Sequence, residues 1–219
     1  MKISLKTIEK AIKILKKETK KFKNPIVTEV SFGKDHYKVL ISCLLSLRTK
    51  DAVTAKATNK LFKKAKTPSQ MSKLKEKQIQ KLIYPVGFYR VKSKRIKEIS
   101  KTLIKDYNGK VPSDIDELLK LKGVGRKTAN IVLAFGFNKK ALPIDVHCNR
   151  IPNRLGWVKT KTPEQTEMEL KKILSKKYWI DFNNIFVVFG QNICVPVSPF
   201  CSKCPVYGYC LRIGVKKHR

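Results

Sequence analysis

The chain has 219 residues, 42% of them hydrophobic, which is enough for a substantial core and lies between the usual sizes of one and two domains. Its 49 Lys and Arg against 16 Asp and Glu leave a net charge of +33, so a polyanion, nucleic acid first, is the expected partner and its binding should be salt-dependent. The longest apolar runs, at 39–45 and 131–137, fall well short of the roughly 20 residues a membrane-spanning helix needs, and the lysine-rich start lacks the apolar stretch of a secretory signal. No membrane association and a reducing, cytoplasmic setting are therefore expected.

In chain order, Ile8, Ile12 and Leu15 recur at helical spacing and predict an amphipathic first helix. The segment 26–32 has the composition of an extended stretch but no identifiable sheet partner. Thr67-Pro68 opens a helix, Pro112-Ser113 with Glu117 close behind opens another, and Thr162-Pro163-Glu164 a third, ahead of Met168, Leu170, Ile173 and Leu174. No hairpin pattern competes, and the chain reads as mostly helical.

Between two of these helices lies Leu118-Leu119-Lys120-Leu121-Lys122-Gly123-Val124-Gly125-Arg126-Lys127-Thr128-Ala129, an apolar helix end, a Gly-x-Gly and a new helix start. This is a helix-hairpin-helix pattern. Its glycines permit positive φ and close backbone approach, and a helix N-terminus beside cations suits a phosphate without reading bases. Further on, Asp145 follows an apolar turn and precedes a helix, where it reads first as an N-cap. Pro152 falls inside that helix and should kink it unless the helix starts later.

Four of the six cysteines, Cys194, Cys201, Cys204 and Cys210, form C-x6-C-x2-C-x5-C in a tail unlike the rest of the chain. In a reducing compartment such clustering points to metal ligation, and both zinc and a 4Fe-4S cluster accept four thiolates. Only Cys201 and Cys204 form a short knuckle, which leans toward iron-sulfur without excluding zinc. Cys43 and Cys148 stand apart and read as packing residues.

Taken in order, these segments resemble the endonuclease III family of the helix-hairpin-helix DNA glycosylase superfamily. Residues 121–130, Leu-Lys-Gly-Val-Gly-Arg-Lys-Thr-Ala-Asn, are similar to the family's L-P-G-V-G-R-K-T-A-N, Asp145-Val146-His147 to its V-D-T-H, and the cysteine tail to its 4Fe-4S spacing. The resemblance implies an all-α, two-lobed fold with a six-helix barrel lobe over 29–140. It implies a cluster lobe from 1–28 and 141–219, with the iron-sulfur loop at 194–210. It implies a monomer acting on damaged double-stranded DNA, a bifunctional glycosylase and lyase for oxidised pyrimidines in which Lys127 is the nucleophile, facing Asp145. The implied DNA contacts are Arg48, Phe88 as a wedge, Lys122, Gly123, Val124, Gly125, Arg126 and His147.

The sequence departs from the family pattern at three of these places. Lys122 stands for Pro, Val146 for Thr, and Arg48 for the Gln usual in bacterial members. Two other readings compete: a monofunctional mismatch glycosylase of the same fold, against which Lys127 argues, and a non-enzymatic DNA-binding module with a zinc ribbon.

Overall fold

The computed structural model describes residues 4–31 and 35–219, the side chains of Ile26 and Ser31 excepted. The chain forms two compact units, one from Met1–Pro25 with Lys140–Arg219 and one from Ile26–Lys139. Among the described residues there is no β-strand, and no helix is long and apolar enough to cross a membrane.

The first helix, α1 (Leu5–Thr19), is capped by Ser4, whose hydroxyl accepts from the Thr7 amide, and it buries Ile8, Ala11, Ile12 and Leu15 on one stripe. It belongs to the unit built from both chain ends.

The internal unit starts with α2 (Ile26–Ser31), which corrects the extended reading of this segment. An isolated strand would leave its backbone unpaired, whereas a helix satisfies itself and buries Thr28 and Val30 against α3 (His36–Ser46). Phe32 lies outside the described residues. Helix α3 is buried from Val39 to Leu45 and is the centre of this unit. Around it come α4 (Asp51–Lys64), α5 (Pro68–Lys73), α6 (Glu76–Ile83) and α7 (Tyr89–Tyr107). Thr67 caps α5 as expected.

Helix α8 (Ile115–Lys120) begins later than Pro112-Ser113 suggests. Asp114 is its cap, accepting from the Asp116 and Glu117 amides, while Ser113 is engaged by the Lys139 ammonium. Then α9 (Arg126–Ile131) runs into a π-helical turn at Val132–Gly136.

Back in the terminal unit, α10 (Val146–Leu155), α11 (Pro163–Ile173) and α12 (Trp179–Asn192) pack with α1. Phe182 and Phe186 stack at 4.0 Å, beside Phe189, Ile12, Leu15 and Ile151. Pro152 sits inside α10, so the helix does not start later. Its missing donor falls near the end, where the Asn153 side chain donates to the Asn149 carbonyl and Gly156, at φ 82°, closes the helix. Cys43 and Cys148 are both buried, in keeping with packing roles.

Candidate functional site

In the internal unit, the turn between α8 and α9 is anchored by buried Leu121 and Val124, and the Val124 amide donates to the Leu121 carbonyl. Gly123 has φ 85°, and a side chain there would meet the Arg95 side chain at 2.8 Å. Gly125 caps α9 at φ −93°, so of the two glycines only Gly123 needs the left-handed region. A Cβ on Gly125 would meet nothing within 4 Å, which leaves its backbone open to approach.

Helix α9 buries Thr128, Ala129, Asn130 and Ile131 and exposes Arg126 and Lys127. Two cations followed by four buried residues thus give a rooted helix with its cations outward. Exposed Lys122 pairs with Glu98 at 3.4 Å. The Lys127 charge reaches buried Cys43 on α3, yet burial outweighs it and pushes that thiol up to about 12, so Cys43 stays protonated and unreactive.

Two loops of the same unit come together. Arg48, between α3 and α4, and Phe88, just before α7, both adopt positive φ, at 52° and 57°. The Arg48 guanidinium lies 5.6 Å over the Phe88 ring, and Phe88 is 60% exposed. Gly87 allows the approach, since a Cβ there would sit 2.5 Å from the Arg48 carbonyl oxygen. Arg48 and Phe88 share a cavity with Leu44, Leu47, Val91, Lys92 and Arg95. Lys92, one lysine among many in the sequence, is a residue that pattern reading missed; no local signal marks it, because its partners come from another helix and loop.

In the terminal unit, Asp145 is the N-cap of α10, its Oδ1 accepting from the His147 amide at 2.9 Å and the Cys148 amide at 2.8 Å. Asp145 is nearly buried while Val146 beside it is 68% exposed. His147 Nδ1 lies 3.1 Å from an Arg150 nitrogen and packs so tightly on α12 that a Cβ on Gly190 would come within 2.3 Å of it.

One face of α10 then holds the cysteine loop. Arg150 donates to the Cys194 carbonyl at 2.8 Å, and Arg154, one turn on, donates to the Val195 and Pro196 carbonyls at 2.8 and 2.6 Å and to Cys194 Sγ at 3.5 Å. Cys194, Cys201, Cys204 and Cys210 line one cavity with Ile151, Leu155, Phe189 and Val206. The Arg212 amide donates to Cys210 Sγ at 3.3 Å. Burial, reinforced by neighbouring cysteines, pushes the Cys201 and Cys210 thiols upward and Cys204 to about 11. Among the described residues, no three His, Cys, Asp or Glu side chains converge closely enough to hold a single metal ion.

Comparison with known proteins adds four findings. The family model described as HhH-GPD superfamily base excision DNA repair protein matches residues 41–176. Endonuclease III of Thermotoga maritima is 51% identical over 176 residues, which is 80% of this chain and 83% of that protein. Among solved structures, a trapped endonuclease III–DNA covalent intermediate aligns with a TM-score of 0.82 at 32% identity, over 96% of this chain and 97% of that one. A thermostable thymine-DNA glycosylase aligns with a TM-score of 0.82 at 27% identity, over 94% and 96%.

Proposed function

Because this chain belongs to the endonuclease III family of the HhH-GPD base excision repair superfamily, we propose that it excises oxidised pyrimidines from duplex DNA and nicks the strand, with Lys127 as nucleophile. The observation that carries this reading is the placement of Lys127, exposed on a helix rooted by buried Thr128 to Ile131, directly behind the glycine turn. The damaged nucleotide leaves the stack, and the Lys127 amine attacks C1′ as the base departs with its bonding pair. The nitrogen loses a proton, and its lone pair then breaks the C1′–O4′ bond as O4′ takes up a proton, giving the protonated imine. Abstraction of a C2′ proton then expels the 3′ phosphate, and water releases the enzyme.

Asp145 serves as the carboxylate that stabilises positive charge developing on the sugar and helps move protons. Phosphate is held by the hairpin backbone at Gly123, Val124 and Gly125 with Lys122 and Arg126 beside it, while His147, Arg48 and Phe88 contact the DNA near the lesion. Phe88 is exposed enough to replace lost stacking as a wedge. The enzyme acts as a monomer on damaged double-stranded DNA.

The four loop cysteines hold a 4Fe-4S cluster. A four-iron cluster spreads its four thiolates over four metals, which suits a common cavity with N–H donors from Arg154 and Arg212 aimed at sulfur. Bound there, the cluster supplies a cross-link that holds residues 194–210 in shape.

Borohydride trapping on a duplex containing thymine glycol tests the mechanism. A covalent adduct with the wild type that is absent from Lys127→Ala is the expected result. Base release without an adduct would instead favour the monofunctional mismatch reading, which the likeness to the thymine-DNA glycosylase keeps in view. Neither outcome on a panel of damaged and mismatched duplexes would leave a DNA-binding module.

A further inference from the structure

Lys92 lies in the first turn of α7 and is 5% exposed. Its ammonium donates to the Leu45 carbonyl at 2.9 Å, the Leu47 carbonyl at 2.5 Å and Thr49 Oγ1 at 3.2 Å, so its three donors meet three acceptors. The two carbonyls end α3, where a cation is favoured by the helix dipole and by otherwise orphaned acceptors. The Thr49 hydroxyl also accepts from the Gly87 amide at 3.1 Å. One buried charge therefore ties the end of α3, the loop carrying Arg48 and the loop carrying Phe88.

Arg48 and Phe88 flank this knot, Arg48 next to Thr49 and Phe88 next to Gly87. Both hold left-handed backbone conformations that are unfavourable for non-glycine residues and persist only where the surroundings fix them. Burying an ammonium is itself unfavourable, and burial with the Arg95 charge nearby lowers this group to about 8. A methionine of similar reach would pack at Lys92 without that cost but could not hold the two loops.

We propose that Lys92 is a positioning residue that presents Arg48 and Phe88 to DNA as one unit, and that it governs engagement of the duplex rather than the chemistry at Lys127. This rests on the reading of Arg48 and Phe88 as DNA contacts. Loss of Lys92 frees both loops at once, so the lesion-bearing duplex is gripped less well while the bound complex still reacts.

The test is steady-state and single-turnover cleavage of thymine glycol duplexes by the wild type, Lys92→Met, Thr49→Val, Arg48→Ala, Phe88→Ala and the Lys92→Met/Phe88→Ala pair. Lys92→Met should raise KM on the order of tenfold and leave the single-turnover rate at saturation within about threefold, and Thr49→Val should shift KM the same way by less. The double variant should be no worse than the poorer single one, because Lys92 acts through the loop that carries Phe88. An unchanged KM, a saturating rate that falls in step with kcat/KM, or additive effects in the pair would overturn the proposal. If Lys92→Met does not fold, Thr49→Val decides, and a wild-type KM there overturns it. Should Arg48→Ala and Phe88→Ala both leave KM unchanged, the DNA-contact reading falls and takes the proposal with it; if they raise KM and Lys92→Met does not, only the role of Lys92 falls.

Discussion

Asp145 caps α10 through Oδ1, so under the proposed catalytic role a substitution there would change helix stability and chemistry together, and the choice of residue separates the two. Asparagine keeps the acceptor. Asp145→Asn should therefore stay within about 0.5 kcal/mol of wild type in denaturant unfolding yet lose strand cleavage by about 10²–10³-fold, whereas Asp145→Ala should lose a further 1 kcal/mol or so. If Asn cleaves at the wild-type rate, Asp145 is a cap and nothing more. Lys92 offers a pH signature at the same scale. Its ammonium is lowered to about 8 from an ordinary 10.5, so the unfolded chain binds the proton more tightly and stability rises as pH goes from 8 to 10.5. The wild type should gain stability relative to Lys92→Met across that window, read by unfolding at several pH values.

At the scale of elements, α10 carries Asp145 at its start and grips the cysteine loop through Arg150 and Arg154 farther along. Gly190 sets how closely α10 approaches α12, since a Cβ would reach His147 Nδ1 at 2.3 Å. Gly190→Ala should force the helices apart or twist His147, costing about 1–3 kcal/mol in a melting experiment. Treatment with chelator and oxidant, which would remove the proposed cluster, should open residues 194–210 to protease while the helices of Ile26–Lys139 stay protected. Equal loss of protection in both units would show that the cysteine loop is not a local staple. Helix starts that depend on a local cap, at Thr67 and Thr162, are legible in the sequence itself. The start of α8 and the helical state of 26–31 were not, because Ser113 is claimed by Lys139, distant in sequence, and α2 is stabilised by resting on α3.

For the whole molecule, a net charge of +33 predicts binding dominated by phosphate neutralisation. Affinity for an undamaged duplex should fall at least about tenfold between roughly 50 and 200 mM salt, measured by anisotropy, and a flat response would remove the electrostatic argument. The charge speaks to partners and not to fold. The chain path does the reverse: both ends build one unit, with α1 packed on α12, and the internal segment builds the other.

By itself the sequence determined the helical class, the glycine turn ahead of Lys127, the capping aspartate, and four cysteines clustered in one short loop. These are legible because each depends on neighbours within a few residues: periodicity, caps, turn glycines and short thiol spacings are local physics. Tertiary structure alone decided that the four cysteines share a cavity, that Gly190 must be small for His147, and that one lysine among 41 ties two loops together. Those facts depend on which distant carbonyls, hydroxyls and side chains arrive at a position once the helices pack, and that arrangement is set by burial across the whole unit rather than by any local pattern.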